Sequence, residues 1–153
     1  MRRGGGVTAV PRLAFAADGR SQLMWWGDAD LQSPDGRHVV ALRYAGEPPH
    51  GASFYEGRID GVPVPGFFWA GALGFSADSR FFIGGWMPTR YARKTLVVDI
   101  AARRYLVLPL YLRSFTFHWP VLQGVGTDTA TAYADIDDAL TYTLRGDAPW
   151  TAY

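Results

Sequence analysis

Apolar and polar residues alternate with a period of two in one short run after another along this chain, and turn dipeptides separate the runs. In Arg37-His38-Val39-Val40-Ala41-Leu42-Arg43-Tyr44, residues His38, Val40, Leu42 and Tyr44 share one face while Arg37 and Arg43 take the other, which is the pattern of a half-buried strand. Similar runs lie at Ser21–Trp26, Ala52–Ile59, Phe67–Phe75, Arg80–Trp86, Thr95–Ile100, Arg104–Leu110, Arg113–Trp119, Thr129–Ile136 and Ala139–Arg145, with an N-terminal one at Val7–Phe15. Roughly ten strands at this spacing predict an all-β, antiparallel domain.

Turn chemistry agrees. Asp18-Gly19, Asp35-Gly36 and Asp60-Gly61 supply the positive φ angles of tight reversals, and Asp137-Asp138 and Ala101-Ala102-Arg103 read as looser ones. Thr95–Ile100 and Arg104–Leu110 form the clearest hairpin. Leu106, Leu108, Leu110 and Leu112 fall on one face of the second run and continuing chain, while Tyr105, Val107 and Tyr111 fill the other. Such strands need cover on both sides, so stacked sheets are expected rather than one solvated sheet. Glu and Lys are nearly absent, with 14 of the 15 basic residues Arg and 12 of the 14 acidic residues Asp, and this argues against exposed helices. The 153 residues form a single β domain with a flexible leader over 1–6. The Arg, Ala, Gly and Pro usage points to a GC-rich bacterial source.

One segment repeats. Phe75-Ser76-Ala77-Asp78-Ser79-Arg80-Phe81-Phe82-Ile83 echoes Gln32-Ser33-Pro34-Asp35-Gly36-Arg37-His38-Val39-Val40 at an offset of 43 residues, within the blade period of about 40 to 50 seen in propellers. Ser33–Ala41 with Ser53–Gly61 resembles a TolB-type or WD-type propeller blade, and Phe75–Arg80 with Thr95–Ile100 and Arg104–Leu108 is similar to a second. The resemblance covers residues 31–112 and implies a binding scaffold of blade-like sheets, either a small β-sandwich or a partial propeller. It transfers no functional residue, because such repeats mark structure and not chemistry. Two good blades fall short of the four or so that a closed propeller needs.

Catalytic signatures are missing from the sequence. No Cys is present, no Gly-x-Ser-x-Gly elbow occurs, and Gly4-Gly5-Gly6 lacks the strand, helix and Lys of a phosphate cradle. His38, His50 and His118 have no partners at metal-ligand spacing. His38 and His118 read as core histidines, whereas His50, in the loop Glu47-Pro48-Pro49-His50-Gly51, is the one best placed for solvent chemistry. Asp28-Ala29-Asp30 and Asp135/Asp137/Asp138 are oxygen-rich but lack the Gly and bidentate Glu of a Ca²⁺ loop, so no metal and no cofactor are expected.

Aromatic residues make up 15% of the chain, with six Trp. Most should fill the space between sheets. In Trp25-Trp26, Phe67-Phe68 and Phe81-Phe82, neighbours on a strand point to opposite faces, so one of each pair leaves the core unless both faces are covered. Net charge is +1 overall but is +5 over residues 1–113 and −4 over 114–153. Arg20, Arg37, Arg58 and Arg80 sit at separated turn positions and form no phosphate-tracking stripe, so nucleic acid is not the expected partner. Apolar runs stop well short of the roughly 18 residues that span a membrane, and no secretory signal is read at the N-terminus, which makes the cytoplasm the expected compartment. The expected function is a non-enzymatic protein-binding module that presents an acidic, aromatic surface to a basic partner, in its concrete form a bacterial immunity protein that neutralises a toxin. Its binding residues are Asp135, Asp137 and Asp138, with Trp25, Asp28 and Asp30 second. The alternative is a glycan-binding β module that stacks sugars on exposed Trp.

Overall fold

The computed structural model describes residues 9–24, 27–128 and 138–153. Those residues form thirteen strands and no helix: β1 (Arg12–Ala14), β2 (Gln22–Met24), β3 (Ala29–Gln32), β4 (Val39–Gly46), β5 (Phe54–Ile59), β6 (Val62–Phe75), β7 (Phe81–Met87), β8 (Lys94–Asp99), β9 (Arg104–Leu108), β10 (Leu110–His118), β11 (Val121–Asp128), β12 (Asp138–Thr143) and β13 (Thr151–Ala152). The all-β, mostly antiparallel class read from the alternation is the class observed. The strand list is longer than expected, because β3, β11 and β13 are added, and the run at 129–136 lies outside the described residues.

Strands β3 to β9 follow one another in space as they do in sequence, each antiparallel to the next. Parallel β1 extends one edge beside β3 and two-residue β13 caps the other beside β9. The remaining strands, β10-β11-β12, make a second antiparallel sheet. β6 is the pivot of the large sheet. Its first half pairs with β5, whereas Gly71–Leu73 pair with β2 on that same side. Against β7, its register jumps from Phe68↔Trp86 to Leu73↔Gly84, so five residues of β6 advance against two of β7. Such an irregularity bends a strand and increases local twist.

Three apolar clusters follow from this arrangement. One face of the large sheet joins Leu31, Val40 and Leu42 from β3 and β4 to Phe82, Leu96 and Val98 from β7 and β8. The opposite face of β7 to β9, with Phe81, Ile83, Val97, Leu106 and Leu108, packs on Leu112, Phe115, Phe117 and Leu122 of the small sheet. Every residue of β7 is therefore buried. Leu106 and Leu108 take one side and Tyr105 and Val107 the other, as the alternation requires. Phe81 and Phe82 divide in the same way. Their adjacency needed cover on both faces, and the two clusters supply it. The third cluster, Phe54, Trp69, Met87 and Tyr111, is described below. Gly57 keeps β5 close to β6: a Cβ there would stand 2.7 Å from the ring of fully buried Phe68.

The repeated segment folds as a repeated hydrogen-bond network. Ser33 Oγ donates to Asp35 Oδ1 at 2.7 Å and accepts from His38 N–H at 3.0 Å, while Arg37 N–H donates to Asp35 Oδ1 at 2.9 Å. In the second copy, Ser76 Oγ donates to Asp78 Oδ1 at 2.6 Å and accepts from Phe81 N–H at 2.9 Å, and Arg80 N–H donates to Asp78 Oδ1 at 3.1 Å. The left-handed position is Gly36 in one turn and Ser79 in the other. The two turns also touch, since Asp35 N–H donates to Ser79 Oγ at 3.0 Å. Asp18-Gly19 behaves differently from the hairpin expectation: it joins strands that do not pair, and its Gly19 carbonyl accepts from Phe117 N–H at 2.8 Å in the small sheet.

These contacts generate three expectations. Ser76→Ala removes the acceptor of a buried N–H and should cost about 1–3 kcal/mol in denaturant unfolding, with Ser33→Ala somewhat less costly because its turn is partly exposed. Gly57→Ala should destabilise by about 1–3 kcal/mol through overpacking on Phe68, without altering far-ultraviolet circular dichroism. The Asp35 carboxyl is held below its ordinary range, first by the Ser33 hydroxyl and then by Arg37 N–H, both of which favour its charged form. Its contribution is present above the unfolded-state value and lost as pH falls through the lowered folded value, so the stability gap between wild type and Asp35→Asn should close on acidification.

Candidate functional site

The structure spends the acidic residues of the 28–30 cluster locally. Asp28 Oδ1 accepts Tyr44 N–H at 2.7 Å, and Asp30 pairs with Arg43 at 3.0 Å and with Arg12 at 4.0 Å, so both tie β3 to its neighbours. Trp25, Asp135 and Asp137 lie outside the described residues. Asp138 opens β12 opposite Gly126. His38 stands just before β4 with its Nδ1 2.7 Å from Asp60 Oδ2, a polar turn contact and not a core position. His118 is exposed at the end of β10, again contrary to the core reading, because the chain turns there through Trp119-Pro120 into β11.

Two aromatic constellations remain. The first surrounds the turn into β7. Asp99, only 1% exposed, accepts from Arg80 and Arg104 at 3.2 Å each, and its other oxygen accepts from Ala102 N–H at 3.4 Å. The shared carboxylate orients both guanidinium groups. Arg80 then lies 4.6 Å over the Phe81 ring and 5.2 Å over Trp119, while Arg104 lies 4.5 Å over Trp150. Trp119 stacks flat on Phe81 at 4.9 Å with 5° between planes, although it is 38% exposed. Trp150 extends the stack at 6.3 Å, and its Nε1–H donates to Arg145 O. An exposed indole is thus fixed from beneath by a buried ring and from beside by a guanidinium. Pinned aromatic and Arg side chains of this kind lose little entropy on docking.

The second is the third apolar cluster and its rim. Trp69 in β6 is 1% exposed, donates through Nε1–H to Ala92 O at 2.9 Å, and meets Phe54 at 6.0 Å and Tyr91 at 6.5 Å between ring centres. Arg93 lies 4.3 Å over Trp69 and 5.3 Å over Tyr111. Pro48, Pro49, His50, Trp69, Tyr91 and Arg93 line a cavity of about 330 Å³ there. His50, the histidine singled out in the sequence, is therefore a wall of a real cavity. Its companions Trp69, Tyr91 and Arg93 were not foreseen, since they come from β6 and the β7–β8 connection, far from residue 50 in sequence.

Trp69 and Trp86 are buried with their N–H groups engaged, the latter donating to Pro65 O at 2.8 Å, and neither exposes an indole at the surface as Trp119 does. Among the described residues, no group of three or more His, Asp or Glu could hold a metal ion, and no helix is long and apolar enough to cross a membrane. Compared with known proteins, the chain matches no family model, no curated protein and no solved structure.

Proposed function

We propose that the chain is a non-enzymatic protein-binding module that docks through the Trp119–Arg80–Trp150 surface. The observation that carries this reading is the exposed Trp119, stacked on buried Phe81 and flanked by Arg80, whose orientation is set by buried Asp99. Trp and Arg dominate the residues that anchor protein interfaces, and they do so best when already rigid. Blade-like hairpins of this kind are rigid carriers for such a surface. In its most specific form the module is a bacterial immunity protein that occupies and neutralises a toxin. The acidic segment with Asp135, Asp137 and Asp138 then supplies long-range attraction to a basic partner.

A second reading is favoured by the same exposed indole, because pyranose rings also stack on Trp. Among the described residues that reading rests on Trp119, the exposed indole, since Trp69 and Trp86 are buried.

The test is affinity capture from a lysate of the source organism, comparing the wild-type chain with Trp119→Ala and with charge reversal at Asp135, Asp137 and Asp138. A single protein held by wild type should be lost with Trp119→Ala, with affinity falling about 30-fold or more in a binding assay. Charge reversal should slow association and weaken its salt dependence. Identical retention by wild type and Trp119→Ala, or an empty bait, defeats the reading. A sugar panel that quenches tryptophan fluorescence in wild type but not in Trp119→Ala would transfer the surface to glycans.

A further inference from the structure

We propose that the cavity between the 47–51 loop and Trp69 is a binding site for an aromatic carboxylate, with Arg93 holding the acid group and Tyr91, Pro48 and Pro49 packing the ring. The site shares no residue with the Trp119 surface and does not depend on the protein-docking reading.

The state of Arg93 is the first argument. Of the three described guanidinium groups that lie over aromatic rings, those of Arg80 and Arg104 share the Asp99 carboxylate, whereas among the described residues Arg93 pairs with no carboxylate and donates to no protein acceptor. Its contacts are the ring faces of Trp69 at 4.3 Å and Tyr111 at 5.3 Å. Stacking uses the flat faces of a guanidinium and leaves the N–H donors at its edge, where they match the two oxygens of a carboxylate. Trp69 is itself fixed through Nε1–H to Ala92 O, so the guanidinium rests on an immobile platform.

The walls give the second argument. Among the described residues no Asp or Glu lines the cavity, and the ionisable walls are His50, Tyr91 and Arg93, so its chemistry favours an anion over a cation. Glu47, the nearest carboxylate in sequence, accepts from the Tyr44 hydroxyl at 3.2 Å. Tyr91 is 41% exposed with its ring 6.3 Å from Phe54, and the two prolines present rigid apolar surface opposite. A bare inorganic anion would leave these walls unused. The volume of about 330 Å³ lies at the small end of ligand sites, which suits one ring with a short acid arm.

The probes are phenylacetate, its neutral amide phenylacetamide, and inorganic phosphate, followed on the full isotope-labelled chain through the side-chain N–H signals of Trp69 and Arg93. Phenylacetate should shift both signals saturably, with phenylacetamide about tenfold weaker or worse and phosphate unable to displace the acid. Arg93→Gln should cut phenylacetate affinity about tenfold, Arg93→Lys should recover part of it, and Tyr91→Ala should weaken acid and amide alike. A peptide ending in Phe with a free carboxylate, set against its amidated form, shares this chemistry and shows whether the natural source is a chain terminus or a free acid. Equal binding of acid and amide, displacement by phosphate, or signals that never move would overturn the proposal. The comparison of acid with amide uses the unaltered chain, so it stands even where a variant fails to fold.

Discussion

The structure depends on β7 and β8 being covered on both faces. With every residue of β7 buried, the strand can carry no charge and reads Phe-Phe-Ile-Gly-Gly-Trp-Met. Two separate layers must reach it, and the bend in β6 and the turn from β9 into β10 deliver them. The paired glycines mark where those layers arrive: the position of a Gly84 Cβ is taken by Leu73 of β6, and that of Gly85 lies 2.7 Å from Tyr111 of β10. Both neighbours are side chains, so each glycine leaves room for a packed ring or branched chain where a Cβ would stand.

The polar chemistry is organised by the same demand. A chain entering a strand buried on both faces must satisfy its backbone before it goes in, since an unpaired buried N–H is costly. Ser76 does this for Phe81 N–H, and Asp78 in turn holds Arg80 N–H. Arg80 is then launched from a fixed point and reaches Asp99 and the Trp119 face together. The equivalent residue of the first copy, Arg37, has its N–H held by Asp35 in the same way. The turns therefore serve folding in both copies, and the aromatic surface is added only where the small sheet brings Trp119 alongside.

Local periodicity made most of the strands legible, because alternation and turn residues are properties of neighbours in sequence. β8 and β9 with their connection, and the Ser-x-Asp turns, follow directly from it. β3 was missed because Ala29–Gln32 is short and overlaps the Asp28-Ala29-Asp30 cluster, which reads as a loop. β11 was missed because Gly124 and Gly126 break its pattern, and those glycines answer to β10: their added Cβ positions fall on the Ser114 and Tyr111 carbonyl oxygens. His50 could be recognised as a loop residue. Trp69, Tyr91 and Arg93 could not be joined to it, since their meeting depends on the register of β6 and on the path between β7 and β8. The tertiary partners of Asp28 and Asp30, Tyr44 N–H and Arg43, were equally illegible, since they lie 16 and 13 residues away on β4.

The near absence of Lys gains a physical meaning from these contacts. Composition alone attributed 14 Arg against one Lys to genome bias, yet three of the Arg side chains are used in ways an ammonium cannot reproduce. Arg80, Arg93 and Arg104 lie over aromatic rings, and two of them also hold one carboxylate. A flat ion can stack and donate along its edge at the same time, while a compact, strongly hydrated one must give up its shell to do either. In a chain so rich in aromatic rings, this makes the difference between two kinds of guanidinium informative. Where a carboxylate occupies the edge, as at Arg80 and Arg104, the stack fixes a surface. Where the edge is left open, as at Arg93 beside a cavity, the stack presents donors to something outside the chain.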